Sequence, residues 1–231
     1  MILGIDTTSD WSSVALDDHE IVWSGDRNQS RELLPKIEEL MQRNNISFTD
    51  LTGIVVVNGP GSYTGIRIGV SVANTIGMIM NIPVKGIDSL LAQIKMCGKM
   101  RETHGYASIL SAGGSRVYGR KYLKAICNNQ YAICNEKNKT NIQIKEDGDF
   151  FVGEIAEFLT GLDMDVCIVG EVNEEVENFI KSSGWECFKS LGMGKNKGRA
   201  WGAVRMWDDL PVVANDNVIP MYLREAVRSK K

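Results

Sequence analysis

Ile54-Val55-Val56-Val57-Asn58-Gly59-Pro60-Gly61-Ser62-Tyr63-Thr64-Gly65-Ile66-Arg67-Ile68-Gly69-Val70, continuing to Met80, is the stretch on which the fold turns. Ile54 to Val57 is a β-branched run that suits a buried strand. Asn58 to Gly61 is a turn cluster, with glycines open to positive φ and Pro60 fixing its own. Ser62 or Thr64 can then cap a helix. In that helix Gly65, Gly69, Ala73 and Gly77 recur every fourth residue and form one stripe of small side chains. Each interior glycine costs about 1 kcal/mol against alanine, so the stripe must be offset by a close approach of another backbone. A second stripe, Ile68, Val72, Ile76 and Ile79, is apolar. A helix with two non-polar faces is covered on two sides. One side can face its own sheet, and the other needs a second helix from this chain or from a partner.

The loop invites a phosphate reading, because helix N-termini bind anions. It lacks the Lys-Ser/Thr pair of the Walker pattern, and Thr64 stands where the dinucleotide fingerprint has its third glycine. The two readings are a phosphate cradle and a tight turn with a close-packed helix, and the missing lysine favours the turn.

Outward from this stretch, 231 residues with 43% hydrophobic content can bury one large core or two smaller ones. A net charge of −3 argues against a chain dedicated to nucleic acid, though not against a local basic patch. Five cysteines, odd in number and without a C-x-x-C, fit a reducing compartment better than a disulfide framework or a zinc site. His19 and His104 have no metal spacing. A strand pattern from Ile2 gives the expectation of no signal peptide, no apolar run reaches membrane-spanning length, and a cytoplasmic location is expected.

In chain order, Ile2–Thr8, Ser12–Leu16 and Glu20–Ser24 read as an antiparallel meander. A helix follows with Leu33, Leu34, Ile37, Leu40 and Met41 on one face, Ser30 as its expected N-cap, and Pro35 expected near the first turn. Then come the strand at Ile54, the glycine-striped helix and a strand at Val84–Ile87. The second half repeats this order loosely. Ala107–Ala112 is a strand, Gly113-Gly114-Ser115 a turn, and Arg116–Leu123 and Gln130–Cys134 are strands. A helix is expected from Asp149 through Phe150, Ile155, Phe158 and Leu159, then a strand at Asp165–Val169 and a helix through Val176, Phe179 and Ile180. Gly192–Gly202 reads as a mobile surface loop, and Ala203–Trp207 as helical. Two copies of one topology imply an α/β protein with two lobes of the ribonuclease-H-like type. That is the architecture of the actin and hexokinase superfamily, each lobe a mixed sheet with flanking helices. The expected division is 1–104 for the first lobe, completed by 205–231, and 105–204 for a degenerate second.

Asp6 ends the first strand beside Thr7, Thr8 and Ser9. In this fold class the position faces a cleft where hydroxyls and a metal-associated carboxylate can meet a phosphate. A strand-end aspartate bonding its own turn is the alternative. The equivalent turn of the second lobe carries Ser111-Ala112-Gly113-Gly114-Ser115. Gly113 and Gly114 can line a phosphate, but Ser111 replaces the expected acid, and metal-assisted phosphoryl transfer then loses a ligand. No nucleophile has a neighbouring base. A patch of Lys195, Lys197, Arg199, Arg224 and Arg228 is read as a solvated loop and tail rather than a tRNA contact.

The chain resembles the TsaB family, also called YeaZ. The likeness rests on Asp6-Thr7-Thr8-Ser9 with Ser13-Val14-Ala15-Leu16, and on Leu33-Leu34-Pro35. It rests above all on Gly59-Pro60-Gly61-Ser62-Tyr63-Thr64-Gly65-Ile66-Arg67-Ile68-Gly69, with Val117-Tyr118 and Pro220-Met221-Tyr222-Leu223-Arg224 beyond it. The resemblance implies a catalytically inactive dimerisation subunit. It would pair with a catalytic paralogue, TsaD, and work with an ATPase, TsaE, to place a threonylcarbamoyl group on N6 of an adenosine beside the tRNA anticodon. It implies no cofactor for this chain, with ATP or ADP and Mg used at the level of the complex, and tRNA met only through the complex. It implies pairing through the two helices of the first lobe, here Leu33, Leu34, Ile37, Leu40 and Met41 with Gly65, Ile68, Gly69, Val72, Ala73, Ile76, Gly77 and Met80, and homodimers through the same face when the partner is absent. Departures are Gln29, where the family often has His, and Ser111-Ala112-Gly113, where it often has Asp-Ala-Arg.

On this reading the apolar faces of both helices are exposed in a monomer, and Gly69→Leu abolishes pairing while sparing the fold. The alternative is an active enzyme of the same fold, an ATP-binding phosphotransferase or a metallopeptidase. The distant histidines argue against the second, and Gly170-Glu171-Val172 is the one adenine-site candidate for the first.

Overall fold

A computed structural model describes residues 1–24, 28–96, 105–125, 143–162, 166–185, 187–189, 198–211 and 217–223. It divides into two units, Met1–Met96 with Met193–Lys231, and Cys97–Gly192. The breaks therefore fall earlier than the expected 104/105 and 204/205. The reason for the second shift is a helix that packs on the first sheet, described below.

The first unit is built on β1 (Ile2–Asp6), β2 (Trp11–Leu16), β3 (His19–Ser24), β4 (Gly53–Val57) and β5 (Val84–Ile87). Their spatial order is β3-β2-β1-β4-β5. β1, β2 and β3 form the antiparallel meander, with Ile5 opposite Val14 and Val14 opposite Ile21. β4 joins β1 in parallel, Ile5 opposite Val56, and β5 joins β4. All five residues of β4 are buried, as a central parallel strand requires.

Two helices cover one face, α1 (Gln29–Arg43) and α2 (Tyr63–Met80). Leu33, Ile37, Leu40 and Met41 of α1 and Ile66, Val70, Ala73 and Ile76 of α2 join Leu3, Ile5, Val14, Ile54 and Val56 in one core. Each such aliphatic side chain contributes roughly 1.5–3 kcal/mol by leaving water. Asn28, not Ser30, occupies the N-cap of α1, and Pro35 lies well inside the helix. Its ring is on the exposed side, where water can serve the carbonyl it leaves without an amide. Ser62 caps α2 by accepting from the Gly65 amide at 3.3 Å.

Between α1 and β4, Ser47 and Asp50 close a capping box around a short 3-10 turn. The Ser47 amide, then its hydroxyl, hold the Asp50 carboxyl below the usual carboxylate range. A depressed folded value means that the turn's contribution is present above the unfolded carboxyl pKa and lost as pH falls through the folded one. Ser47→Ala is therefore expected to raise the Asp50 titration midpoint in side-chain NMR, though not fully, because the backbone bond survives.

On the opposite face lie α3 (Ser89–Met96) and α6 (Arg199–Val204), the last α-helix among the described residues. An added Cβ on Gly4 would meet the Ala200 carbonyl, and one on Gly202 the Ala92 carbonyl, so these glycines let α6 approach β1 and α3. Residues 217–223 return to the first unit. The Met221 amide donates to the Asn58 carbonyl at 2.7 Å, and the Asn74 side chain brackets Val218 with bonds of 3.0 and 3.1 Å.

The second unit contains β6 (Gly105–Ser111), β7 (Arg116–Ala125), β8 (Gln143–Glu154), α4 (Ile155–Thr160), β9 (Val166–Glu171), α5 (Glu174–Ser182) and β10 (Cys187–Lys189). Its order β10-β9-β6-β7-β8, read from the other edge, repeats that of the first unit. Both units are mixed five-stranded sheets of the ribonuclease-H-like, actin-like type. The expected helix from Asp149 is corrected. Phe150, Phe151 and Val152 belong to β8, paired with β7, and the helix starts at Ile155. The expected strand at 130–134 lies outside the described residues. No helix among the described residues is long and apolar enough to cross a membrane.

Candidate functional site

The glycine stripe faces inward. A Cβ on Gly65 would strike the Thr7 carbonyl, one on Gly69 the Thr7 hydroxyl, and one on Gly77 the Val84 side chain. The Thr7 hydroxyl donates to the Gly65 carbonyl at 2.7 Å, fastening the end of β1 to the first turn of α2. The second backbone that the glycines admit is thus the chain's own. This corrects the expectation that the stripe and the apolar face of α1 stay open in a monomer. Leu33, Ile37, Leu40, Met41, Gly65, Gly69, Ala73, Ile76 and Gly77 are all buried within the first unit.

What α2 shows to water is its other side: Thr64, Arg67, Ser71, Thr75, Met78 and Ile79 are exposed. Ile68, Val72 and Met80 are half-buried against the core. Ile68, Val72, Thr75 and Ile79 follow one another at helical spacing along one flank, ending in Ile79 at 70% exposure. On α1, Leu34 is 46% exposed. Of the residues expected at a pairing face, Leu34, Ile68, Val72 and Met80 can reach a partner without unfolding the core.

Asp6, Thr7, Thr8 and Ser9 do come together, at the end of β1, but with their polar atoms engaged. One carboxylate oxygen of Asp6 accepts from the Thr8 amide at 2.9 Å and the Thr8 hydroxyl at 2.7 Å. The other accepts from Arg199 Nε at 2.8 Å. Arg199 Nη2 donates to the Ser9 hydroxyl at 2.6 Å. Asp6 is 2% exposed and Arg199 fully buried, so the pair is sealed from water.

Arg199 is delivered by α6, whose N-terminus is tied to the meander. The Glu20 carboxylate accepts from the Gly198 and Trp201 amides, and the Ser13 hydroxyl accepts from the Ala200 amide. The expectation of a mobile surface loop over 192–202 with Arg199 in a solvated basic patch is corrected for its second part: Gly198 caps a packed helix over Arg199–Val204, and Arg199 is core. Lys195, Lys197, Arg224 and Arg228 lie outside the described residues. Sequence reading missed Arg199 as the partner of Asp6, and the one available signal was a strand-end aspartate with no local cation.

The Gly59–Gly61 loop also turns inward. The Ser62 amide donates to the Thr8 carbonyl at 2.7 Å, and Ser89 donates from its amide to the Gly59 carbonyl and from its hydroxyl to that of Pro60. Gly59, with φ of 116°, lies so close to the Met221 carbonyl that a side chain would collide. Of the two readings of this loop, the geometry carries the tight turn.

Gly113 and Gly114 lie in the turn between β6 and β7 of the second unit, with φ of 94° and 59° and nothing within 4 Å of where a side chain would start. The Asn173 side chain holds this turn, donating to the Ser111 hydroxyl at 3.1 Å and the Gly114 carbonyl at 2.9 Å while capping α5 through the Val176 amide. Gln29, the other departure, is buried at the start of α1, its amide 3.5 Å from the Ser9 carbonyl.

The family model described as TsaD, tRNA N6-adenosine threonylcarbamoyltransferase, matches residues 23–171, more than half of the chain. The tRNA threonylcarbamoyladenosine biosynthesis protein TsaB of Buchnera aphidicola from Schizaphis graminum is 29% identical over 63% of this chain and 70% of that protein. The protein of that name from Escherichia coli is 26% identical over 52% and 54%, and that from Bacillus subtilis 36% over 38% and 41%. The chain belongs to the TsaB/YeaZ branch of this family. YeaZ from Pseudomonas aeruginosa superposes with a TM-score of 0.70 at 15% identity, covering 96% of this chain and 99% of that one. A second Pseudomonas aeruginosa structure, of an uncharacterised protein similar to YeaZ, gives 0.74 at 17%. These two likenesses speak for the fold. With the Escherichia coli and Bacillus subtilis relatives the matched stretch spans about half of their length.

Proposed function

We propose that this TsaB-family chain is a non-catalytic subunit of the machinery that makes N6-threonylcarbamoyladenosine in tRNA. It pairs with a TsaD-like paralogue, works with a TsaE-like ATPase, and forms a homodimer when alone. It needs no cofactor of its own, and ATP and Mg are used at the level of the complex. The observation that carries the absence of catalysis is the sealed Asp6–Arg199 pair: a cation–phosphate group arriving at this turn would have to displace a buried guanidinium. The Ser111–Ser115 turn, which has no carboxylate of its own and meets one through the Ser115 hydroxyl on Glu154, supports the same reading.

Pairing is assigned to the outward flank of α2, Ile68, Val72 and Ile79, with Leu34 of α1, rather than to the glycines. One apolar anchor buried at such an interface contributes roughly 1.5–3 kcal/mol, so Ile79→Asp is expected to weaken binding to the paralogue about tenfold or more. The melting temperature should stay within about 2 °C of that of wild type diluted to the monomer, because Ile79 is 70% exposed in the single chain. Sedimentation of the purified pair, wild type against variant, reads the first effect, and a thermal melt of each chain alone reads the second. An Ile79→Asp chain that pairs as tightly as wild type would remove α2's flank from the interface.

A further inference from the structure

Arg67 stands on the exposed side of α2, yet no carboxylate pairs with it among the described residues. Its guanidinium lies over the Tyr63 ring, 4.1 Å from the centroid, and its Nε donates to the Tyr222 hydroxyl at 3.0 Å. The two rings lean on each other, with centroids 4.7 Å apart and planes at 33°. Tyr63 and Tyr222 nevertheless remain 51% and 40% exposed.

The arrangement is built from two distant parts of the chain. Tyr63 and Arg67 are one turn apart at the start of α2. Tyr222 is brought to them by the bonds that fix 218–221 to Asn58 and Asn74. The Nε bond leaves the terminal nitrogens of the fork without a hydrogen-bond partner inside the described residues. Ordering a long side chain costs rotamer entropy, here met in part by the cation–π contact. The fork is thereby held ready for an acceptor with two oxygens, beside the N-terminal end of an 18-residue helix.

We propose that Tyr63, Arg67 and Tyr222 form a binding site for single-stranded RNA, one phosphate on the Arg67 fork and one base on an exposed tyrosine face. An acidic peptide would use the fork alone, whereas the open aromatic surface beside it matches a planar partner. The site uses the first turn of α2 and the returning segment, and does not depend on the pairing assigned to Ile68, Val72 and Ile79.

The test is fluorescence anisotropy of a labelled eight-residue oligouridine titrated with the full chain at low salt, with labelled oligoglutamate in parallel. Arg67→Gln and Tyr63→Leu are each expected to weaken oligouridine binding about fivefold or more, on the scale of one lost stacking or phosphate contact. Arg67→Lys, which keeps the charge but loses the bond to Tyr222, should weaken it about twofold or more. Lys181→Gln, an exposed charge in the second unit, should leave it unchanged. Thermal melts establish that each variant is folded. Should Tyr63→Leu fail to fold, the two Arg67 variants decide. The proposal is overturned if oligouridine does not bind, if Arg67→Gln binds it as wild type does, or if Lys181→Gln loses as much. It is overturned in favour of an acidic protein partner if oligoglutamate, and not oligouridine, binds in an Arg67-dependent way.

Discussion

Gly69→Leu should leave a chain whose first unit no longer folds, or folds with a melting temperature lower by on the order of 10 °C. Replacing glycine inside a helix ordinarily gains up to about 1 kcal/mol of propensity. Here the gain is outweighed, because the new side chain would enter the space between α2 and β1 that is already filled by Thr7, Val56 and Ile5. Overpacking a filled core costs typically 1–3 kcal/mol, and roughly the upper end applies where a fixed turn stands in the way. Gly65→Ala should be more damaging than Gly77→Ala. At Gly65 the obstacle is the Thr7 backbone, held by strand and turn, whereas at Gly77 the nearest atom is a Val84 methyl group that can shift and the Ile82 carbonyl, at 3.2 Å, is a lesser obstacle. Ser71→Ala, on the exposed side, should be neutral. Urea unfolding of the four variants orders them. If Gly69→Leu keeps wild-type stability and loses only its ability to pair, the stripe faces outward and this account of the helix fails.

Breaking the Asp6–Arg199 pair should cost about as much by a different route. The gross attraction between the two charges is large, but so is the cost of drying them, so the pair as a whole adds little net stability. Removing one member alone leaves the other charged and buried, a loss of roughly 3–5 kcal/mol. Arg199→Met and Asp6→Asn are both expected to fall in that range, and Arg199→Met should be the worse. It leaves an ionised carboxylate with only the Thr8 amide and hydroxyl, and it also takes the donor from Ser9. The double variant Asp6→Asn/Arg199→Met should recover more than half of the summed loss, because neither charge then remains. A double-mutant cycle by denaturant unfolding measures this coupling. Additive losses would mean that the two side chains act separately.

Much of the first unit was legible because its signals are local. The three short strands are separated by polar turns, and the Val57–Ser62 segment carries strand end, turn and cap in consecutive residues. The amphipathic stripe of α1 recurs at helical spacing. What escaped reading depends on distant partners. α3 is buried nearly all round, so Ser89–Met96 has no polar face to betray a helix. β8 begins in the polar run Gln143–Asp149 and is a strand because β7 lies beside it, a pairing invisible in its own composition.

Arg199 reads as a surface cation among lysines and glycines until Asp6, at the other end of the chain, supplies its counter-charge. The two stripes of α2 were visible, but not which of them faces the sheet. Periodicity reports that two faces are apolar, while closeness of approach is set by the turn at Thr7.

The most direct measurement is threonylcarbamoylation of a tRNA transcript supplied with threonylcarbamoyl adenylate and Mg-ATP, followed as modified adenosine by mass spectrometry, with the chain assayed alone and together with the TsaD-like and TsaE-like proteins. A non-catalytic partner subunit predicts no product and no ATP hydrolysis from the isolated chain, and product in the mixture that rises with added chain until it equals the paralogue. Product or sustained ATP turnover from the isolated chain, or full activity of the other two without it, would contradict the account.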